Sequence, residues 1–138
     1  MSNAKELCRH LLKAIEAGDG EGYRACFTED GRIWHDFDGL ETHADGAQSV
    51  EQNVAMMNWM HRLTTTLKYE TLRLEETETG FLETHRLSGT TIEGEDFEGL
   101  ACVICTLENG KIKRLEEFIN PASFNALDRS QDAQKKKQ

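Results

Sequence analysis

Two histidines in strand-like sequence are the side chains best suited to move a proton: His35, within Ile33-Trp34-His35-Asp36, and His85, within Thr84-His85-Arg86. An unperturbed imidazole titrates near pH ~6.5, so it accepts and returns a proton at neutral pH. Each histidine has a charged neighbour, Asp36 or Arg86. Successive strand side chains point to opposite faces, so a histidine and its neighbour line one pocket only if the strand ends or bulges between them. Around His85, one face carries Phe81, Glu83, His85 and Leu87, and the other carries Thr84, Arg86, Ser88 and Thr90. Several strands are apolar on both faces, so the sequence leaves open which set faces inward.

Other chemistries lack their residues. Cys102-Val103-Ile104-Cys105 has C-x-x-C spacing, but strand residues three apart face opposite ways and cannot chelate one metal. His10, His43 and His61 are far apart and show no paired-ligand spacing. There is no Gly-rich phosphate loop and no G-x-S-x-G motif. No metal and no cofactor are expected.

Composition narrows the class further. The 138 residues hold 25 acidic side chains against 16 Lys plus Arg, a formal charge of −9. That balance disfavours nucleic acid and anionic membrane surfaces, which require a basic footprint. No apolar run approaches the ~18–20 residues of a membrane span, and the N-terminus lacks a basic stretch followed by an apolar one. A soluble, cytoplasmic chain is expected, with Cys8, Cys26, Cys102 and Cys105 as free, mostly buried thiols. The length suits one domain, 1–127. Residues 128–138, with one small apolar side chain and Lys135-Lys136-Lys137 near the end, read as a disordered polar tail.

The elements that must position the histidines follow from periodicity. Leu7, Leu11, Ala14 and Ile15 form one helical stripe, capped by Ser2 or Asn3 and ended by Gly18. Asp19 caps a short second helix carrying Tyr23, Cys26 and Phe27. Asp30-Gly31 signals a turn, Arg32 to Phe37 a short strand, and Asp38 to Gly46 a loop. A third helix spans Ala47 to Leu63 with Val50, Val54, Met57 and His61 on one stripe. Its end, Met56-Met57-Asn58-Trp59-Met60, is apolar nearly all round, as befits a helix that packs on a sheet and also meets a cavity or partner. Four strands follow, 65–75, 81–92, 97–107 and 111–120, with tight turns at Glu78-Thr79-Gly80 and Glu108-Asn109-Gly110. Helices first and an antiparallel meander afterwards make an α+β layout. Trp34, Met56, Trp59, Met60, Tyr69 and Phe118 are candidates for an apolar pocket wall, with Asn120 as a polar member. Met adapts to irregular shapes, so such a lining suits a flat hydrophobic ligand.

Three stretches carry a family resemblance: Ala17-Gly18-Asp19 with Phe27-Thr28-Glu29-Asp30, then Ile33-Trp34-His35-Asp36, then Gly110-Lys111-Ile112 through Arg114-Leu115-Glu116-Glu117-Phe118-Ile119-Asn120-Pro121-Ala122. In order and spacing they resemble the SnoaL-like and ketosteroid isomerase-like proteins of the nuclear transport factor 2-like superfamily, over roughly residues 5 to 124. The resemblance implies a cone-shaped, curved antiparallel or mixed sheet, wrapped with three N-terminal helices around a deep pocket. It also implies a homodimer formed through the sheet. His35 falls where isomerase-like members place a general base. Leu11, and Cys102 or Val103, fall where they place oxyanion donors, so steroid enolisation is not expected. Epoxide hydrolases of this fold would match Arg86 and Glu117, but Ser88 stands where their acid belongs. Arg86 and Glu117 are alternatively a buried ion pair.

The expected function is that of a pocket protein for a hydrophobic, oxygenated small molecule. His35 would move a proton, and Arg86 or Glu117 would orient an oxygen, with Asp36 and His85 as further candidates. Isomerisation, cyclisation or dehydration without a cofactor would result. The alternatives are a non-catalytic binding or scaffold domain and, less favoured, an epoxide-type hydrolase.

Overall fold

The computed structural model describes residues 3–38 and 47–137. The sequence-predicted loop from Asp38 to Gly46, with His43, lies almost wholly outside them. The order is α1 (Ala4–Ala17), α2 (Gly20–Ala25), β1 (Phe27–His35), a 3₁₀ turn (Asp36–Asp38), β2 (Gln48–Ser49), α3 (Val50–Arg62), β3 (Thr64–Glu76), β4 (Gly80–Thr91), β5 (Asp96–Glu108), β6 (Lys111–Ile119), a second 3₁₀ turn (Pro121–Phe124) and α4 (Asn125–Lys136).

Local chemistry sets the helix ends. Asn3 accepts from the Glu6 amide to start α1, and Gly18 closes it at φ +67°. Asp19 accepts from the Gly22 amide at the start of α2. Ser49 and Gln52 form a reciprocal capping box on α3, which therefore begins three residues later than the sequence predicts. The Asn109-Gly110 turn places both residues at positive φ, as a two-residue hairpin requires.

The six strands form one curved, mixed sheet in the order β2-β1-β6-β5-β4-β3. The last four strands are the predicted meander, with ends shifted by one residue at most. β1 pairs parallel with β6, and its register shifts between Phe27 and Arg32. The Asp30-Gly31 turn signal falls inside that irregularity, so the strand runs from Phe27 rather than from Arg32. α1 packs against β3 and β4, and α3 against β1 and β3. The main core lies between these helices and the concave face, and includes Leu11, Tyr23, Ile33, Phe81 and Ile112.

The C-terminal residues correct the sequence reading. From Asn125 to Lys136 the chain is helical, so a fourth helix joins the three at the N-terminus. Leu127 is wholly buried and Ser130 nearly so. Leu127 and Ala126 pack with Met60, Leu63, Leu87 and Ile119 in a second apolar cluster. Arg129 pairs with Glu95, and Lys137 with Glu93 at 3.1 Å, fastening α4 to the β4–β5 turn. These pairs are exposed and add little stability, so the burial of Leu127 is the main attachment. None of the described helices is long and apolar enough to cross a membrane.

Cys8, Cys26 and Cys105 are buried thiols, and Cys102 is half-buried. Burial pushes the Cys8 thiol up to about 12 from 9.0, with Glu83 adding to the shift. Burial raises Cys26 and Cys105 in the same direction. The folded chain thus holds thiol protons that the unfolded chain releases, and stability falls as pH rises from 9 towards 12. The urea midpoint should decline across that range, and less steeply in Cys8→Ala. Iodoacetamide at pH 8 should leave these three thiols unlabelled until the chain is unfolded.

Candidate active site

Between the helices and the concave face lies a cavity of about 280 Å³. Its wall is apolar over most of its area, with Leu11, Ile15, Met57, Leu87 and Val103 among the contributors. Met56, Trp59, Met60 and Tyr69 line it as the sequence predicts. Phe37, Pro121 and Phe124 line it from the two 3₁₀ turns, and Asp128 from the first turn of α4.

The strand register assembles the polar groups. His35 on β1 sits opposite Glu117 on β6, Glu117 opposite Val103 on β5, and Val103 opposite Glu83 on β4. These four side chains form one transverse row across the concave face, and all four line the cavity. His85, two residues from Glu83, lies one row further along the same face.

His35 and Glu117 make the first pair. His35 Nε2 lies 3.4 Å from Glu117 Oε1, with the imidazole buried and the carboxylate largely so. Asn53 on α3 points its amide nitrogen at the same Nε2 from 3.5 Å. One tautomer accepts from Asn53, and the other donates to Glu117. The Asn53 nitrogen also donates to Gln48 Oε1 at 3.1 Å, and its Oδ1 accepts from the Tyr23 hydroxyl. Burial, with Glu117 nearby, raises the Tyr23 pKa well above 10, which keeps that hydroxyl a donor. The His35 ring stacks on Phe37 at 4.8 Å, which fixes its plane.

His85 and Glu83 make the second pair. His85 Nδ1 lies 2.7 Å from Glu83 Oε1, and both side chains are almost wholly buried. Thr71 donates to the other Glu83 oxygen at 3.0 Å. The Tyr69 ring packs 5.0 Å from the imidazole.

Several predicted site residues stand elsewhere. Arg86 belongs to the outward set on β4, exposed and 3.6 Å from Glu70, so it neither pairs with Glu117 nor reaches the cavity. The hydrolase alignment therefore loses its arginine. Asp36 accepts from the Ile119 amide at 3.3 Å and pins the turn after β1 instead of lining the cavity. Trp34 and Phe118 meet edge to face on the convex side, 5.3 Å between centroids. Asn120 accepts from the Ala122 amide at 3.0 Å, capping the turn after β6. The sequence reading did not single out Tyr23 or Asn53 for the site. Each is a lone polar side chain on an apolar helix face, and only their partners across the cavity give them meaning. Glu83 was placed on the face of His85, which was the available signal.

A 108-residue match, residues 8–115, to the SnoaL-like domain family accompanies this geometry, and the chain belongs to that family. Its fold is shared with a nuclear transport factor 2-like protein of unknown function from Burkholderia pseudomallei K96243 (17% identity, 92% of this chain and 98% of that one, TM-score 0.74). It is also shared with a protein provisionally described as a SnoaL-like polyketide cyclase from Jannaschia sp. CCS1 (14% identity, 90% of each chain, TM-score 0.71). TerC, crystallised with polyporic acid, is similar too (14% identity, 91% and 98% covered, TM-score 0.71). No curated protein sequence matches.

The Tyr23–Asn53–His35 chain makes a stability prediction. Asn53→Leu strands the buried Tyr23 hydroxyl and should cost about 1–3 kcal/mol by urea denaturation. Adding Tyr23→Phe removes the stranded group and should recover part of that loss. A single variant as stable as wild type would contradict the assigned network.

Proposed function

We propose that the cavity takes up a hydrophobic, oxygenated small molecule and that His35 performs cofactor-free acid/base chemistry on it. The observation that carries this reading is the His35–Glu117 pair, 3.4 Å apart in a cavity walled mostly by apolar side chains. His35 takes a proton from a carbon beside a carbonyl, or assists loss of a hydroxyl. Glu117 holds a ligand hydroxyl or receives the proton from the ring. The proton then returns to a different carbon in an isomerisation, to the alkoxide left when the carbanion attacks a second carbonyl in a cyclisation, or to a departing hydroxyl that leaves as water in a dehydration. That TerC, similar in fold, was co-crystallised with polyporic acid supports a small oxygenated ligand here.

Native mass spectrometry of the purified protein should detect a bound small molecule that is released on denaturation. With that compound as substrate, His35→Asn should bind it within about threefold of wild type and turn it over at least ~100-fold more slowly. A bound compound left unchanged by the wild type would instead support the alternative, a binding module that uses the cone as a container.

We also propose that two chains associate through the convex face, where Leu100, Ile104 and Phe118 are exposed large apolar residues. Sedimentation should give a dimer for the wild type and a folded monomer for Leu100→Glu/Phe118→Glu. A wild-type monomer at micromolar concentration would refute the association.

A further inference from the structure

The Glu83–His85 pair is not used by the chemistry assigned to His35, yet it buries two ionisable side chains at the cavity wall. His85 is 2% exposed and Glu83 1%. Both line the cavity. Glu83 is fully engaged, with one oxygen on His85 Nδ1 and the other on Thr71 Oγ1. His85 is not: Nε2 is covered and has no hydrogen-bond partner among the described residues. A buried ring nitrogen left unpaired carries the cost of its desolvation with nothing to offset it, so it is a feature that needs an occupant.

The neighbouring wall can yield to one. Tyr69, packed on the His85 ring, sends its hydroxyl to Met60 Sδ at 3.8 Å and to no other partner among the described residues. A thioether is a weak acceptor and Met an adaptable side chain, so shifting this contact is cheap. When Nδ1–H is donated to Glu83, Nε2 of the neutral ring accepts a hydroxyl proton. With a second proton it donates to a carbonyl.

We propose that the Glu83–His85 pair is a second polar anchor in the cavity, and that the ligand carries oxygen functions at both ends of an apolar, multi-ring body. One end meets His35 and Glu117, the other His85. Val103 lies between Glu117 and Glu83 in the transverse row. Two strand spacings, about 9–10 Å at the backbone, part the two carboxylate-bearing positions, and His85 lies a row further along β4, so the ligand meets the two anchors with different oxygens. The apolar body lies over Val103. This inference rests on the ligand-binding reading of the same cavity.

The test uses naphthalene probes and isothermal titration of the wild-type protein. 2-Naphthol has one oxygen, 2,3-dihydroxynaphthalene has two at one end, and the 2,6-, 2,7- and 1,5-diols have two at opposite ends. The best opposite-end diol should bind about tenfold more tightly than 2-naphthol, the worth of one buried hydrogen bond. The 2,3-diol should not share that advantage. In Glu83→Leu/His85→Leu, which removes both partners and strands no charge, the advantage should vanish while 2-naphthol binding stays. If 2-naphthol binds the wild type and no opposite-end diol exceeds it, the second anchor is refuted and the cavity reading survives. An advantage that persists in the double variant also refutes the anchor. If no probe binds the wild type, both readings fail. The wild-type comparison alone decides the matter if the double variant does not fold.

Discussion

The parallel pairing of β1 with β6 is the interaction on which the site depends. It brings His35, from the first strand, opposite Glu117, from the last, and closes the meander onto the N-terminal half of the chain. Side chains alternate along a strand, so a slip of one residue would send His35 to the convex face and bring Trp34 into the cavity. The irregularity between Phe27 and Arg32 sets that register. Gly31 lies within it, and a Cβ there would stand 3.1 Å from the Phe27 ring and from the Thr28 carbonyl. Asp36 then holds the end of β1 against the Ile119 amide, immediately after the paired residues. A residue first taken for a catalytic neighbour is thus part of the frame that aims His35.

Given that register, the concave face carries carboxylates and imidazoles under an apolar roof, and burial dictates how they are arranged. An unpaired buried charge is very costly, and a pair survives only when its remaining lone pairs are satisfied. Glu83 meets that condition through His85 and Thr71. Glu117 keeps some solvent contact, and its neighbour His35 is in contact with the Asn53 amide. Val103 lies between the two pairs in the transverse row. The cavity is bounded by adaptable side chains, Met56, Met57 and Met60, with Trp59 beside them. α4 completes the wall: its buried Leu127 holds the segment that brings Phe124 and Asp128 to the cavity.

Much of this was legible in the sequence. The meander showed in its turn residues, the helix caps in Asp19 and Gly18, and the pocket wall in the Met-rich end of α3. Sidedness was not legible. Leu82, Leu100, Cys102, Ile104 and Phe118 put apolar side chains on the convex face as well, so hydrophobic alternation along the strands did not show which parity faces inward. Strand pairing separates His85 from Arg86: His85 shares its face with Glu83, whose neighbour Val103 faces Glu117. The first half of β1 was hidden because Asp30-Gly31 is a turn signal that here marks an irregular stretch of strand. α4 was hidden because its buried side is only Ala126, Leu127 and Ser130, too short and too polar to register as an amphipathic stripe. The Tyr23–Asn53 link joins two helices far apart in sequence, and no local pattern announces it.

The distribution of charge limits what the site can do. Glu83, Glu117 and Asp128 line the cavity, and no Lys or Arg does so among the described residues. The whole chain carries −9, so the long-range field has the same sign. A permanently anionic ligand would meet like charge inside and outside, with only the imidazoles to offset it. A developing oxyanion likewise finds no fixed cation, and the Tyr23 hydroxyl is already committed to Asn53. Stabilisation by standing positive charge, the usual strong term in enolate chemistry, is therefore weak here. What remains is proton movement. Each imidazole stands beside a carboxylate, His35 3.4 Å from Glu117 and His85 2.7 Å from Glu83. In a cavity with this lining, a ligand's charge is best balanced by moving a proton onto or off a histidine. The proposed chemistry therefore fits neutral, oxygenated ligands better than anionic ones, and it depends on the two strand positions that hold the histidines in place.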